Sequence, residues 1–161
     1  MQNPPSPLLM SLIVTFAFVL FPGLSASAKG FQGLLEAASE DAKKWAVVFD
    51  FDTDSCYPAP AVSREGKMNG GLKDSGHITG ECRQMDQFKN ANTYYRMASI
   101  EKGGVKYSVH MYALYFEKDQ AASYTHLGHR HDWEYALVWT KDGRLTHASF
   151  SAHGGTITKP K

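Results

Sequence analysis

The sequence predicts a mainly β protein, an antiparallel β-sandwich with flanking helices, and three observations carry that reading. From Thr93 onward the chain is dense in aromatic and β-branched residues, in "TYYRMASI", "VKYSVHMYALYFEKD" and "DWEYALVWTKDGRLTHASFSAHGG". The segments "EKGG" and "KDG" interrupt these runs as hairpin turns. Only "FQGLLEAASEDAKKW" has apolar residues at helical spacing. Many short strands after one helix suggest two packed sheets with helical decoration. The chain stops at Lys161, a few residues after a strand expected to end near His153. The sandwich is therefore expected to be incomplete at its C-terminal side.

Taken in order, residues 1–28 read as a signal peptide. They carry no charged side chain, and "SPLLMSLIVTFAFVLFPGL" is an apolar block broken by Pro22 and Gly23. Ala26 and Ala28 supply the small-x-small pattern of a cleavage site. A membrane anchor is the competing reading, but the uninterrupted apolar run is short for a span. The expected mature domain, 29–161, holds all 17 basic and 16 acidic residues, a net charge near +1 with histidines neutral. That balance gives no electrostatic pull toward phosphate backbones, so nucleic acid is not an expected partner. Secretion places Cys56 and Cys82 in an oxidising compartment, where an even pair reads as a disulfide.

The segment from Phe31 to Trp45 is expected to form one amphipathic helix docked on the core, with Phe31, Leu34, Leu35, Ala38, Ala42 and Trp45 on its apolar face. A strand from Trp45 to Phe51 follows and runs into an acidic turn. Asp50, Asp52 and Asp54 alternate there, as a solvated strand edge or, less in keeping with such rows, as a cation site. The Pro-, Gly- and Ser-rich stretch between the cysteines reads as a long surface loop.

The chemistry concentrates in "GHRHDWE", Gly128–Glu134. So many titratable groups beside an apolar run are costly unless they bind something. Strand alternation puts Arg130, Asp132 and Glu134 on one face and His129, His131 and Trp133 on the other. Asp119, expected in the loop before the motif, can return toward the same point. A thiol-free carboxylate set suits a hard divalent cation, Mg²⁺ or Ca²⁺ foremost and Mn²⁺ also. Three rival readings stand beside it. One is a metal-free salt-bridge cluster of Arg130, Asp132 and Glu134. Another is a cupin-like His-x-His strand, and the third a zinc hydrolase using His129, His131 and Glu134.

The heptapeptide resembles the signature of the necrosis- and ethylene-inducing-peptide-like proteins, secreted cytolysins and elicitors of plant-associated fungi, oomycetes and bacteria. "FDTDSCYPAPAVS", "MYALYFEKDQ" and "SAHGG" also resemble that family, in its usual order, so the resemblance runs from about Ala46 to Gly155. It implies a non-enzymatic β-sandwich with a divalent cation in an acidic cavity. It further implies binding to glycosylinositol phosphorylceramide sphingolipids of plant plasma membranes, followed by permeabilisation. By motif, Asp119 and Asp132 would be direct ligands, with His129 and Glu134 acting through water. His153 would contribute to headgroup binding, and Cys56–Cys82 would be the disulfide of the two-cysteine type. Members usually continue well past the "HGG" segment, which this sequence does not. A non-cytolytic relative, sensed by a plant immune receptor through Tyr107–Glu134, is the alternative within the same resemblance.

Overall fold

The structure, a computed structural model, describes residues 31–161; the expected signal peptide lies outside the described residues. Its core is an antiparallel meander of five strands. They are β1 (Tyr94–Lys102), β2 (Val105–Gln120), β3 (Gly128–Lys141), β4 (Arg144–Ala152) and β5 (Gly155–Pro160), hydrogen-bonded in that order. The mainly β, antiparallel class therefore stands. Among the described residues the strands form one sheet, and its covering layer is loop and short helix rather than a second sheet. β5, beyond the His153–Gly154 turn, is a strand the sequence reading left out.

Both hairpin turns fall where glycine permits left-handed backbone. Gly103 and Gly104 take φ of 58° and 73°, and Asp142–Gly143 take 45° and 70°. β2 is long enough to change neighbours. Its first part pairs with β1, ending at Tyr94↔Ala113. Its later part takes the inter-cysteine loop as partner, through Ala59 N–H to the Tyr115 carbonyl and Leu72 N–H to the Glu117 carbonyl, both 2.8 Å. Cys56 and Cys82 form the expected disulfide. The segment they close is not a free surface loop, because Pro58, Ala59, Ser63 and Cys82 are buried.

The expected N-terminal helix shrinks to α1 (Glu40–Lys44), started by Ser39, whose Oγ accepts from Ala42 N–H. Residues 31–39 are held out of the helix by long-range contacts. The Asn92 side-chain amide bonds Leu34 N–H and C=O at 2.8 Å each, and Arg64 Nε donates to the Gly33 carbonyl at 2.9 Å. A Cβ at Gly33 would lie 2.2 Å from the Asn90 carbonyl, so this crossing admits glycine alone. Tertiary contacts here override helical spacing. The expected strand Trp45–Phe51 is irregular backbone instead, with no ladder partner. A second short helix, α2 (Met85–Asn90), was not anticipated. Its Phe88 meets Phe51 edge-on at 5.5 Å and Tyr57 at 5.1 Å, which anchors the acidic turn after Phe51.

Candidate metal site

Pairing of β2 with β3 sets the site. Leu114 opposes Glu134, Phe116 opposes Asp132, and Asp119 opposes His129. With alternation, Asp132 and Glu134 share a face with Leu114, Phe116, Lys118 and Gln120. Asp119 is thus on strand β2, not in a loop, and it reaches the motif by cross-strand pairing. Gly128 makes the close approach possible, since a Cβ there would sit 2.1 Å from the Asp119 carbonyl.

These side chains line a cavity of about 370 Å³, with Asp119, Asp132 and Glu134 on one wall and Asp50, Asp52 and Asp54 on another. The acidic turn therefore joins the motif rather than guarding a strand edge, and sequence alternation alone had favoured the edge. The signal available was proximity to Cys56, which the disulfide region carries into the same wall.

Alternation is broken at His131, and Asp119 too lines the cavity together with its neighbours Lys118 and Gln120. His131 takes φ of 62° and its pairing with Glu117 is skipped. The ring accepts or donates one bond of 2.7 Å between Nδ1 and the Tyr115 hydroxyl. Arg130 is turned from the carboxylates, and its Nη1 donates to the Gly70 and Gly71 carbonyls at 2.8 and 3.1 Å. The metal-free cluster of Arg130 with Asp132 and Glu134 does not form. Among the described residues the ion pair within 4 Å is Lys43–Glu40, on α1. Lys118 lines the cavity but its ammonium is committed to the His77 carbonyl and Gln120 Oε1, each at 2.9 Å.

Among the described residues, therefore, none of these carboxylates is ion-paired to a cationic side chain. Burial pushes the Asp132 carboxyl above its ordinary range, and the Glu134 and Asp119 charges push it further. The Trp133 N–H and His129 pull weakly the other way. Asp119, His129 and Glu134 thus all act on the Asp132 carboxyl, although His129 is not among the residues lining the cavity. Glu134 also accepts from the Ser151 hydroxyl on β4. Among the described residues no three His, Cys, Asp or Glu side chains close into a ready-made coordination cage. The set does not fit a closed zinc site, and a hard cation held there would have to keep several waters as ligands. His153 lies in the β4–β5 turn with φ of 43°, exposed and outside the residues lining the cavity.

Residues 39–161 match the family model described as necrosis inducing protein (NPP1). The chain belongs to this family. The necrosis-inducing protein NPP1 of Phytophthora nicotianae is 39% identical over 108 residues, 64% of this chain and 42% of that protein. Its counterpart from Phytophthora cinnamomi is 37% identical, over 60% of this chain and 37% of that protein. Among solved structures, one described as a toxin fold as basis for microbial attack and plant defense superposes with a TM-score of 0.55 at 37% identity, covering 67% of this chain and 48% of that one. NLPPya in complex with mannosamine gives 0.53 at 38%, covering 66% and 47%. The chain spans less than half the length of these NPP1-family relatives. Within the family's segment, the disulfide and the β2–β3 hairpin with its heptapeptide are present.

Proposed function

We propose that this protein is a secreted necrosis-inducing effector whose carboxylate cavity holds a divalent cation and recognises the sugar headgroup of plant plasma-membrane sphingolipids. The observation that carries the reading is the convergence of Asp119, Asp132 and Glu134, with Asp50, Asp52 and Asp54, on one cavity, where among the described residues none of these carboxylates is ion-paired to a Lys or Arg. A half-buried carboxylate in that state gains from a cation more than from a proton near neutral pH. Asp132 and Asp119 would hold the ion directly, with Glu134 and His129 ordering its water. A bound divalent cation supplies exchangeable coordination positions for sugar hydroxyls. Glu134, held by Ser151, accepts hydrogen bonds from ordered water, and the Asp50–Asp54 turn closes the opposite wall. NLPPya structures with mannosamine and glucosamine support sugar recognition in this family.

Mg²⁺ titrated calorimetrically into the folded chain is expected to bind, and Asp132→Asn to weaken that binding at least tenfold. Equal heats from wild type and variant would remove the reading. A second reading, a non-cytolytic relative sensed as an immune pattern, is favoured by one finding. The non-toxic HaNLP3 superposes with a TM-score of 0.53 at 33% identity, comparable to the relatives described as toxin folds.

A further inference from the structure

Arg130 follows His129 directly and lies two positions before Asp132, yet it is not among the residues lining the cavity. On a regular strand its side chain would stand beside Asp132 and Glu134. A guanidinium there forms forked hydrogen bonds to carboxylates and occupies the oxygens that a cation would need. Instead, Arg130 Nη1 donates to the Gly70 and Gly71 carbonyls. Its charge is felt on the other face of β2, at Tyr115. Burial first and then the Glu117 charge push that phenol up to about 12, and Arg130 opposes them.

The carbonyls that receive Arg130 are fixed from both sides. Asn69 N–H donates to the Ala61 carbonyl at 2.8 Å, and its Nδ2 donates to the Pro60 carbonyl at 3.0 Å. Its Oδ1 accepts from Gly71 N–H at 2.9 Å. On the far side, Leu72 N–H donates to the Glu117 carbonyl of β2 at 2.8 Å. Gly71 takes φ of 62°, and a Cβ there would lie 2.7 Å from Arg130 Cγ and from the His131 ring. A side chain at this position would push the arginine out of its seat.

His131 is the second part. Left-handed backbone inside a strand is strained for a residue with a Cβ, and it persists where the surroundings impose it. Here the Tyr115 hydroxyl holds the ring through Nδ1 at 2.7 Å, on the face away from the cavity. The kink falls between Arg130 and Asp132, so it separates the one basic side chain of the heptapeptide from both of its carboxylates.

We propose that the Asn69–Leu72 turn and left-handed His131 act as one restraint that holds Arg130 off the acidic cavity and leaves Asp132 and Glu134 free for a divalent cation. This rests on the cation reading above and identifies the residues that keep that site open. Asn69, Gly71 and His131 are positioning residues, and none of them lines the cavity.

The test compares variants of the full chain. His131→Val disfavours positive φ, whereas His131→Asn accepts it. In calorimetric titration His131→Val is expected to bind Mg²⁺ about tenfold more weakly than wild type. The double variant His131→Val/Arg130→Gln is expected to regain wild-type affinity, and Arg130→Gln and His131→Asn alone to keep it. Recovery on removing the arginine charge is a result that a merely structural role would not give. Gly71→Ala intrudes on Arg130 from the turn side and is the independent variant, with the same loss and the same rescue expected. A further readout needs no metal. In EDTA, nuclear Overhauser contacts from the Arg130 side chain to Gly71 Hα in wild type should give way, in His131→Val, to contacts with the Asp132 and Glu134 methylenes. Arg130 contacts unchanged in His131→Val, or double variants as weak as their parents, would overturn the proposal. A wild type that binds no Mg²⁺ while the Arg130 contacts exchange as described would support the restraint and remove the cation reading alone.

Discussion

At the scale of single residues, the decisive carboxyl is Asp132. Its folded-state titration lies above the ordinary value of 3.8, through burial first and then Glu134 and Asp119. A group raised on folding contributes stability below its unfolded value, and that stability is lost as pH rises through the folded value. With cation chelated by EDTA at neutral pH, ionised Asp132 therefore works against the fold. Asp132→Asn is expected to raise the apo melting temperature by about 1–3 °C, solvent screening keeping the gain small. Saturating Mg²⁺ should reverse the order, since the wild type alone gains binding energy. Thermal melts at pH 4.5 and 7.5, with EDTA and with Mg²⁺, check both signs. That Asp132 and Glu134 share one face was legible in the sequence from strand alternation, and Asp119 lines the same cavity, whereas His129 does not. Arg130 was not placed correctly, because no sequence pattern announces that its neighbour His131 will adopt positive φ or that Arg130 will bond the Gly70 and Gly71 carbonyls.

At the scale of elements, α1 is docked on the sheet by a buried hydrogen bond and an aromatic contact. Tyr112 donates its hydroxyl to the Ala42 carbonyl at 2.8 Å, and burial pushes the phenol up to about 12, so it remains a donor across the usable pH range. Trp45 packs at a tilt on buried His110, with ring centroids 5.7 Å apart, and the His110 Nδ1 is bonded to the Tyr95 hydroxyl. Tyr112→Phe is expected to cost about 1 kcal/mol, read as a lower urea midpoint, with faster amide exchange concentrated in residues 40–46. Wild-type exchange rates there would show that α1 docks without this bond. The hairpins β1–β2 and β3–β4 could be read from sequence because glycine turns punctuate aromatic runs. The long helix and the strand Trp45–Phe51 could not. Their apolar residues have suitable spacing, but Asn92, Arg64 and Phe88, all distant in sequence, determine the local backbone.

At the scale of the whole molecule, the two sheet faces differ. One carries the acidic cavity beneath the 45–54 segment. The other carries Tyr94, Tyr115 and Trp133 and, toward the hairpin ends, an open apolar groove of about 620 Å³ that includes Ile100, Tyr107 and Trp139. Strand content was legible from composition and alternation, but whether strands form one sheet or two was not. Alternation specifies that a face is covered, and nothing in the pattern says by what. The disulfide, the β2–β3 register and the loop pairing along β2 together bring Asp50–Asp54 to the heptapeptide, a convergence only the folded chain displays. If that cavity is the working part, its removal must abolish damage to plant membranes. Dye release from plant plasma-membrane vesicles is therefore the direct measurement, with wild type and Asp132→Asn compared in Mg²⁺ and in EDTA. Release by the wild type in Mg²⁺, lost on chelation and in the variant, is the expected result. Release that persists in EDTA or in Asp132→Asn would contradict the cation-dependent mechanism.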